Sequence, residues 1–479
     1  MDCNRLEIKI NEPLTDKVWL KFVNSVSGCS DVKLLIEGCE IFLNEMAIPE
    51  EISSISIENV VFRERIKISG LSHGRYFSIK NAKGHPLCGV RIEDVSCNLF
   101  EFDDLDETIE SEFYEHVIIT FSSCEFSHFQ YSSFFLPSFK KVVFSEKVRI
   151  KSRTENNDNA LHFLECIFVN YLECELLDFK NKSLFITNSK TLAIDDVEDA
   201  HVTFLCRESH LSNLEIKNSN LIGMHLKFFQ LVIDSIEINK SIIDEMDLHT
   251  VDDGHTKTEI YNLYIRNSEV GILLLNNRTI VHPLSFSGSK FKSPPSFFGA
   301  KIPSGSIFPK RDGFLGRNGK RDAACYRVLR SQMESQRDRN FEGMFFSLEQ
   351  ESLCNEENGI EHYISKIYHI FSDYGTDYIK PLLLLLFFAV IFTFIYGLYM
   401  SESIGPSYPI DWGLLKSSFI YSLKQILQPF SSLKDMTPLS NEKQELSLVI
   451  VLVSILQSFI SLVCIALSGL AIRWRFKRD

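Results

Sequence analysis

Two uncharged apolar stretches near the C-terminus constrain this chain more than any other feature: Pro381 to Met400 and Leu446 to Ile472. A helix needs about 20 mostly apolar residues to cross the hydrocarbon core of a bilayer, and each stretch is long enough. The pattern predicts a two-span hairpin over 376–479 with a short amphipathic or re-entrant helix between the spans. Arg473, Arg475, Lys477 and Arg478 directly follow the second stretch. Lys and Arg collect on the cytoplasmic side, so the C-terminus is expected there. Two crossings bring the N-terminal part to the same side.

Charge argues against nucleic acid as a partner. With 50 Lys and Arg against 63 Asp and Glu, the net charge is −13, whereas a nucleic-acid binder carries a basic footprint. The start, MDCNRLEIKINEPL, has no cationic segment leading into an apolar core, so no signal peptide is expected. Among 12 cysteines no CxxC pair occurs, which favours reduced, individually buried thiols.

From Leu6 to about Gly313, short alternating apolar runs are cut by polar turns, which is strand chemistry without a convincing long helix. Four runs share one frame, apolar-x-Ile-x-Asn/Lys-Ser: Leu184 to Ser189, Leu214 to Ser219, Ile236 to Ser241 and Leu263 to Ser268. Ile55 to Asn59 and Phe77 to Asn81 resemble it. Repeats of this size, each a strand closed by an Asn-Ser turn, predict coils stacked into a parallel β-solenoid over 1–313. The rival is an antiparallel sandwich. A five-residue rhythm also surfaces at Phe121, Phe126, Tyr131 and Leu136, and again at Phe286 and Phe291. Asp322 then reads as a helix N-cap, and apolar residues at Phe341, Met344, Phe345 and Leu348 have helical spacing. A helical pair or one bent helix is expected within a connector over 314–375. A third amphipathic segment carries Tyr363, Ile364, Ile367, Tyr368 and Phe371 on one face; it is expected along the inner membrane surface or against a second subunit.

Several pieces together resemble bacterial membrane proteins in which pentapeptide repeats precede a two-span, ion-channel-like tail. They are the repeat block around Phe297-Phe298-Gly299-Ala300, the segments Tyr326 to Arg330 and Phe345 to Glu349, the lead-in Ser372 to Gly375 and the exit Arg473 to Phe476. The resemblance covers roughly 284–479. It implies an irregular right-handed parallel β-helix of pentapeptide-repeat type as a cytoplasmic domain, on a tail in the cell inner membrane.

Candidate functional residues fall into three groups. In the second span, Ser454, Gln457, Ser458, Ser461, Cys464 and Ser468 share one face, which lines a pore or packs helices. Between the spans, Trp412, Lys416, Lys424, Gln425, Gln428 and Pro429 belong to a re-entrant or interfacial helix. Potassium selectivity is not supported, because Pro429 to Lys434 is no TVGYG-like filter. Before the membrane, Lys310, Arg311, Arg317, Lys320, Arg321, Arg327 and Arg330 form a basic patch for anionic headgroups, a neighbouring acidic loop or a phosphorylated molecule, unless they are a solvated helix face.

Enzymatic readings find little support. Asp252-Asp253-Gly254-His255 and Asp195-Asp196 read as turns, and the acidic run from Glu93 to Glu115 as a solvated loop. Cys124 with His128, and His162 with Cys166, lack further metal ligands and are expected to stack on one face. No catalytic residue, metal or cofactor is expected. The partners expected are the lipid bilayer, further copies of the chain, and a protein or small ligand at the solenoid. The functional expectation is a gated channel-like or membrane-perturbing element, such as a defence effector; the alternative is a tethered scaffold whose tail only anchors.

Overall fold

Left-handed backbone at one place in each coil turns short strands into a solenoid. Asn188, Asn218, Lys240 and Asn267 have φ of 50°, 49°, 49° and 50°. L-residues pay about 1–2 kcal/mol to enter this region, and Asn is among the few that visit it readily. Each corner residue donates its backbone N–H to the next coil: Asn188 to Lys217 O at 3.0 Å, Asn218 to Asn239 O at 3.1 Å, Lys240 to Arg266 O at 3.2 Å and Asn267 to Ser287 O at 3.0 Å.

The structure is a computed structural model. It describes residues 4–84, 89–103, 118–133, 136–152, 160–169, 173–177, 182–192, 202–207, 210–229, 232–250, 259–356, 359–404, 412–429 and 448–476. The chain divides into two units, Met1–Gly316 and Arg317–Asp479. The first is a β-solenoid of about 10 turns. Its sheets of 15, 11 and 3 strands pair in parallel, in sequence order along the 11-stranded sheet. The sandwich alternative is thereby excluded.

The repeat frame is the register itself. Leu184, Leu214, Ile236 and Leu263 are consecutive partners on neighbouring strands, as are Ile186, Ile216, Ile238 and Ile265, and all eight are fully buried. Ile55 and Phe77 pair in the same way, but in the 15-stranded sheet, so the frame recurs on two faces of the coil. Phenylalanines fill the middle coils: Phe121, Phe139 and Phe163 stack at centroid distances of 5.2 and 5.1 Å. From 284 onward the strands shorten to single bridges, Ser285 to Ile307 and Phe291 to Phe314, with Phe286 and Phe291 inside. At this transition Arg278 is fully buried, donating to the carbonyls of Leu248 and Phe228. Burial pulls its guanidinium down to about 10, so it remains charged at neutral pH.

The serine after each corner turns inward and builds a second ladder. Backbone N–H groups of Cys166, Ser189, Ser219, Ser241 and Ser268 donate to the hydroxyls of Ser189, Ser219, Ser241, Ser268 and Ser289 at 3.1–3.3 Å. Cys124 and Cys166 occupy this same column, each thiol on a backbone carbonyl. His128 and His162 are exposed, so the two Cys–His pairs do not share a face: a register shift between Phe126 and His128 flips the alternation in the first pair, and the left-handed corner at Glu165 lies between the members of the second. Among the described residues no His/Cys/Asp/Glu group could hold a metal. Asp252-Asp253-Gly254-His255, Asp195-Asp196 and the acidic run from Asp104 to Glu115 lie outside the described residues.

An early helix supplements the strand-only expectation. Helix α1, Asp16–Val26, follows the edge strand Asn4–Ile10 and buries Trp19, Phe22 and Val26. The second unit holds α2 (Gly319–Ser335), α3 (Arg339–Glu356), α4 (Ile360–Ser372), α5 (Ile379–Ile404), α6 (Trp412–Leu427) and α7 (Leu448–Phe476). Helix α2 begins before Asp322; that carboxylate accepts the Asn318 N–H at 2.8 Å and braces the first turn rather than capping it. Helices α5 and α7 contain the two segments long and apolar enough to cross a membrane, Ile379–Tyr399 and Val449–Arg473.

The serine ladder predicts an asymmetric mutational response. Ser241→Ala leaves the buried Ser219 N–H without an acceptor and should destabilise the solenoid by about 1–3 kcal/mol. Ser241→Cys, which copies the residue already at 166, should lose less. Hydrogen exchange at the amides of 214–219 in both variants checks the difference.

Candidate functional site

The polar stripe of α7 is turned into the hairpin. Ser454, Gln457, Ser458, Ser461, Cys464 and Ser468 are all buried within one chain. Gln457 stands at the centre: its Oε1 accepts from Tyr396 Oη at 2.7 Å, and its Nε2 donates to Ser422 Oγ at 2.7 Å and to Ser422 O at 3.1 Å. Ser422 Oγ in turn donates to Ala389 O at 3.1 Å. One side chain therefore ties together α5, α6 and α7. Tyr396 stands edge-on to Tyr421 at 4.8 Å, and Phe392 and Ile450 complete the buried cluster. Ser458 donates to Gln425 Oε1 at 3.3 Å, and Ser468 to Tyr378 O at 3.3 Å.

These contacts fix the course of α6. A Cβ on Gly397, late in α5, would meet Ser418 and Leu415, whereas Ser422 reaches Ala389, midway along the same span. Helix α6 therefore runs antiparallel to α5, starting near its far end and stopping within its length. The side toward α5 and α7 buries Ser418, Tyr421, Ser422, Gln425 and Ile426. Trp412, Lys416 and Gln428 are exposed, Lys424 is half-buried, and Pro429 follows the last turn. Val390, Thr393, Phe394, Trp412, Leu415 and Phe419, with Lys416, line an open apolar cleft of about 480 Å³ between α5 and α6.

The basic run is largely complemented from within its own unit. Arg317 Nη1 donates to both oxygens of Glu351 at 3.0 Å, Lys320 pairs with Glu356 at 3.5 Å, and Glu349 pairs with Arg327 at 2.8 Å and Arg330 at 2.9 Å. Four of its seven cations, Arg317 before α2 and Lys320, Arg327 and Arg330 on it, thus meet acids of α3. Lys310 and Arg321 are exposed and Arg311 is half-buried. Glu349 escaped sequence reading although it lies in the quoted segment Phe345 to Glu349, because its two partners are in the preceding helix.

A second node was legible only as the motif Ser372 to Gly375. Asp373, Tyr374 and Gly375 are three consecutive left-handed residues, at φ 49°, 58° and 82°. The Asp373 carboxylate accepts from Ser347 of α3 at 2.7 Å and pairs with His369 of α4 at 3.1 Å and with Lys380 of α5 at 3.9 Å. Three helices meet on one carboxylate.

No protein-family model matches this chain, and no curated protein or solved structure is significantly similar to it. Among the described residues the unit offers polar bonds between helices and a cleft, and no cluster of metal-ligating side chains.

Two substitutions test these nodes. Gln457→Leu removes three interhelical hydrogen bonds; at about 0.6 kcal/mol each on average for bonds between membrane helices, it should cost about 2 kcal/mol of hairpin stability in detergent while leaving the helices apolar enough to insert. Glu349→Ala strands two arginines and should cost about 2–3 kcal/mol, below the usual loss for a broken buried pair because Arg327 is half-exposed. Exchange at α2 and α3 amides should rise while solenoid amides stay protected.

Proposed function

We propose that this chain is a membrane-inserted repeat protein in which a cytoplasmic solenoid senses a ligand or partner and controls an oligomeric, channel-like two-span module. The observation that supports this reading is the course of α6. If α5 and α7 cross a bilayer, α6 enters from the far side and ends within the layer, beside Ala389 and Ser458. Backbone that leaves a helix at such depth is tolerated only where protein or water surrounds it. A hairpin that merely anchors needs neither this helix nor its buried Ser418, Ser422 and Gln425. The arrangement of span, half-helix and span is that of a re-entrant pore element. The cations after α7 favour cytoplasmic termini.

Of the two expectations for the α7 stripe, pore lining and helix packing, its contacts favour packing. Those side chains hold the hairpin together, so a conduit between copies would be lined by the outward face of α6, which carries Lys416. A second reading, the tethered scaffold, draws on the same burial: a hairpin whose polar groups are paired internally and whose outward residues, such as Leu386, Phe394, Leu456 and Phe459, are apolar is also a sufficient anchor.

Liposome flux separates the two. Full-length protein should carry ions or dye across vesicles, exchange of 376–479 for an unrelated two-span anchor should abolish the flux, and Lys416→Glu should change its ion preference. A tight membrane containing well-inserted protein, unaltered by the exchange, would leave the scaffold.

A further inference from the structure

We infer that α4 lies in the bilayer interface, with its outer face among the headgroup and upper acyl atoms, and so forms a lipid-binding surface at the foot of the hairpin. This rests on the reading that α5 and α7 cross a bilayer. The helix is inside out. Ile360, Tyr363, Ile364, Ile367 and Ile370 are 78, 68, 62, 56 and 56% exposed. They recur at steps of three and four, which makes a continuous apolar stripe. The side facing the protein is the polar one: His362 Nδ1 sits 2.9 Å from Cys354 O, His369 pairs with Asp373, and Ser372 is fully buried and accepts the Gly375 N–H at 3.0 Å.

A helix in water places these faces the other way round. A stripe of isoleucines and a tyrosine facing outward is matched to an apolar surrounding, and amphipathic helices with such a stripe bury it at the headgroup–acyl boundary. Continuity selects the bilayer over a second copy as the occupant. Phe371, at the end of α4, stacks on Phe388 of α5 at 6.4 Å, so the stripe runs into the apolar surface of the span, where Leu382, Leu383 and Leu386 are exposed. The left-handed turn at Asp373 to Gly375 holds α4 against the base of α5. Lys366, exposed beside the stripe, and Tyr363, with an apolar ring and a polar tip, suit the interface, where such side chains keep their polar ends in water.

The test is depth-resolved fluorescence on full-length protein in phosphatidylcholine vesicles. The parent carries Trp19→Phe, Trp412→Phe and Trp474→Phe, and single tryptophans are placed by Ile364→Trp, Ile367→Trp, Glu361→Trp or Leu386→Trp. Brominated acyl chains should quench the probes at 364, 367 and 386 several-fold more than the probe at 361, and acrylamide should give the reverse order. Acrylamide reaching 364 and 367 as readily as 361 would place the stripe in water and overturn the inference. Shielding of both from both quenchers would do so too, in favour of a second copy. Failure of brominated lipid to reach 386 would instead remove the membrane reading itself, so the two failures are told apart.

Discussion

A buried backbone or side-chain polar group must find a partner, and both units of this chain are built on columns of small hydroxyl residues that supply one. In the solenoid, the inward serines from Ser189 to Ser289 accept backbone N–H groups at the corners, where the strands cannot. Leaving one such group unpaired costs about 1–3 kcal/mol, comparable to the strain of a left-handed residue, so corner and hydroxyl belong together. In the hairpin, Ser422 and Gln457 perform the same task between helices. If α5 and α7 cross a bilayer, the alternative there is hydrocarbon, which offers no hydrogen bonds at all.

This shared rule explains why the solenoid was largely legible. Its period is written in residues that have few other reasons to recur: Asn or Lys in a left-handed turn, then a small polar group pointing in. The frame starting at Leu184, Leu214, Ile236 and Leu263 is the pairing register without a shift between these columns. The same rule shows where the sequence misled. Spacing put Cys124 and His128 on one strand face, but the register shifts between Phe126 and His128, so Cys124 and Phe126 point inward while His128 lies outward. Helix α1 is only 11 residues long, and the helical spacing of its buried Trp19, Phe22 and Val26 is masked by the apolar Val18, Leu20 and Val23 between them and by a strand-rich surrounding.

The candidate site was legible in membership and not in direction. Periodicity identifies which residues of α7 share a face, but not what the face meets. The answer lies in Tyr396 and Ser422, which are 61 and 35 residues away from Gln457. The basic run is a similar case. Its paired cations lie on or just before α2 and their acids on α3, so a charge pattern read locally shows one sign. Folding the two helices together shows both, and the segments Tyr326 to Arg330 and Phe345 to Glu349 prove to be two halves of one contact, with Tyr326 stacked on Phe345 at 6.4 Å and Glu349 between two arginines.

The Asp373 node gives the second unit a mechanical logic. Left-handed non-glycine residues are held only where their surroundings over-determine them, and here α3, α4 and α5 each contribute a partner to the same carboxylate. Helix α3, set against α2 by paired charges, is thus joined to the first span through Ser347 and Asp373 rather than through a loose linker. A displacement of α3 has two routes into the apolar helices: directly at Asp373 and Lys380, and through α4, whose Phe371 rests on Phe388. Farther along the span, Ala389 and Tyr396 carry α6 and Gln457. Two polar nodes thus lie along α5, one at its start where Lys380 meets Asp373 and one farther along at Ala389 and Tyr396, with the helix itself and the Phe371–Phe388 contact between them.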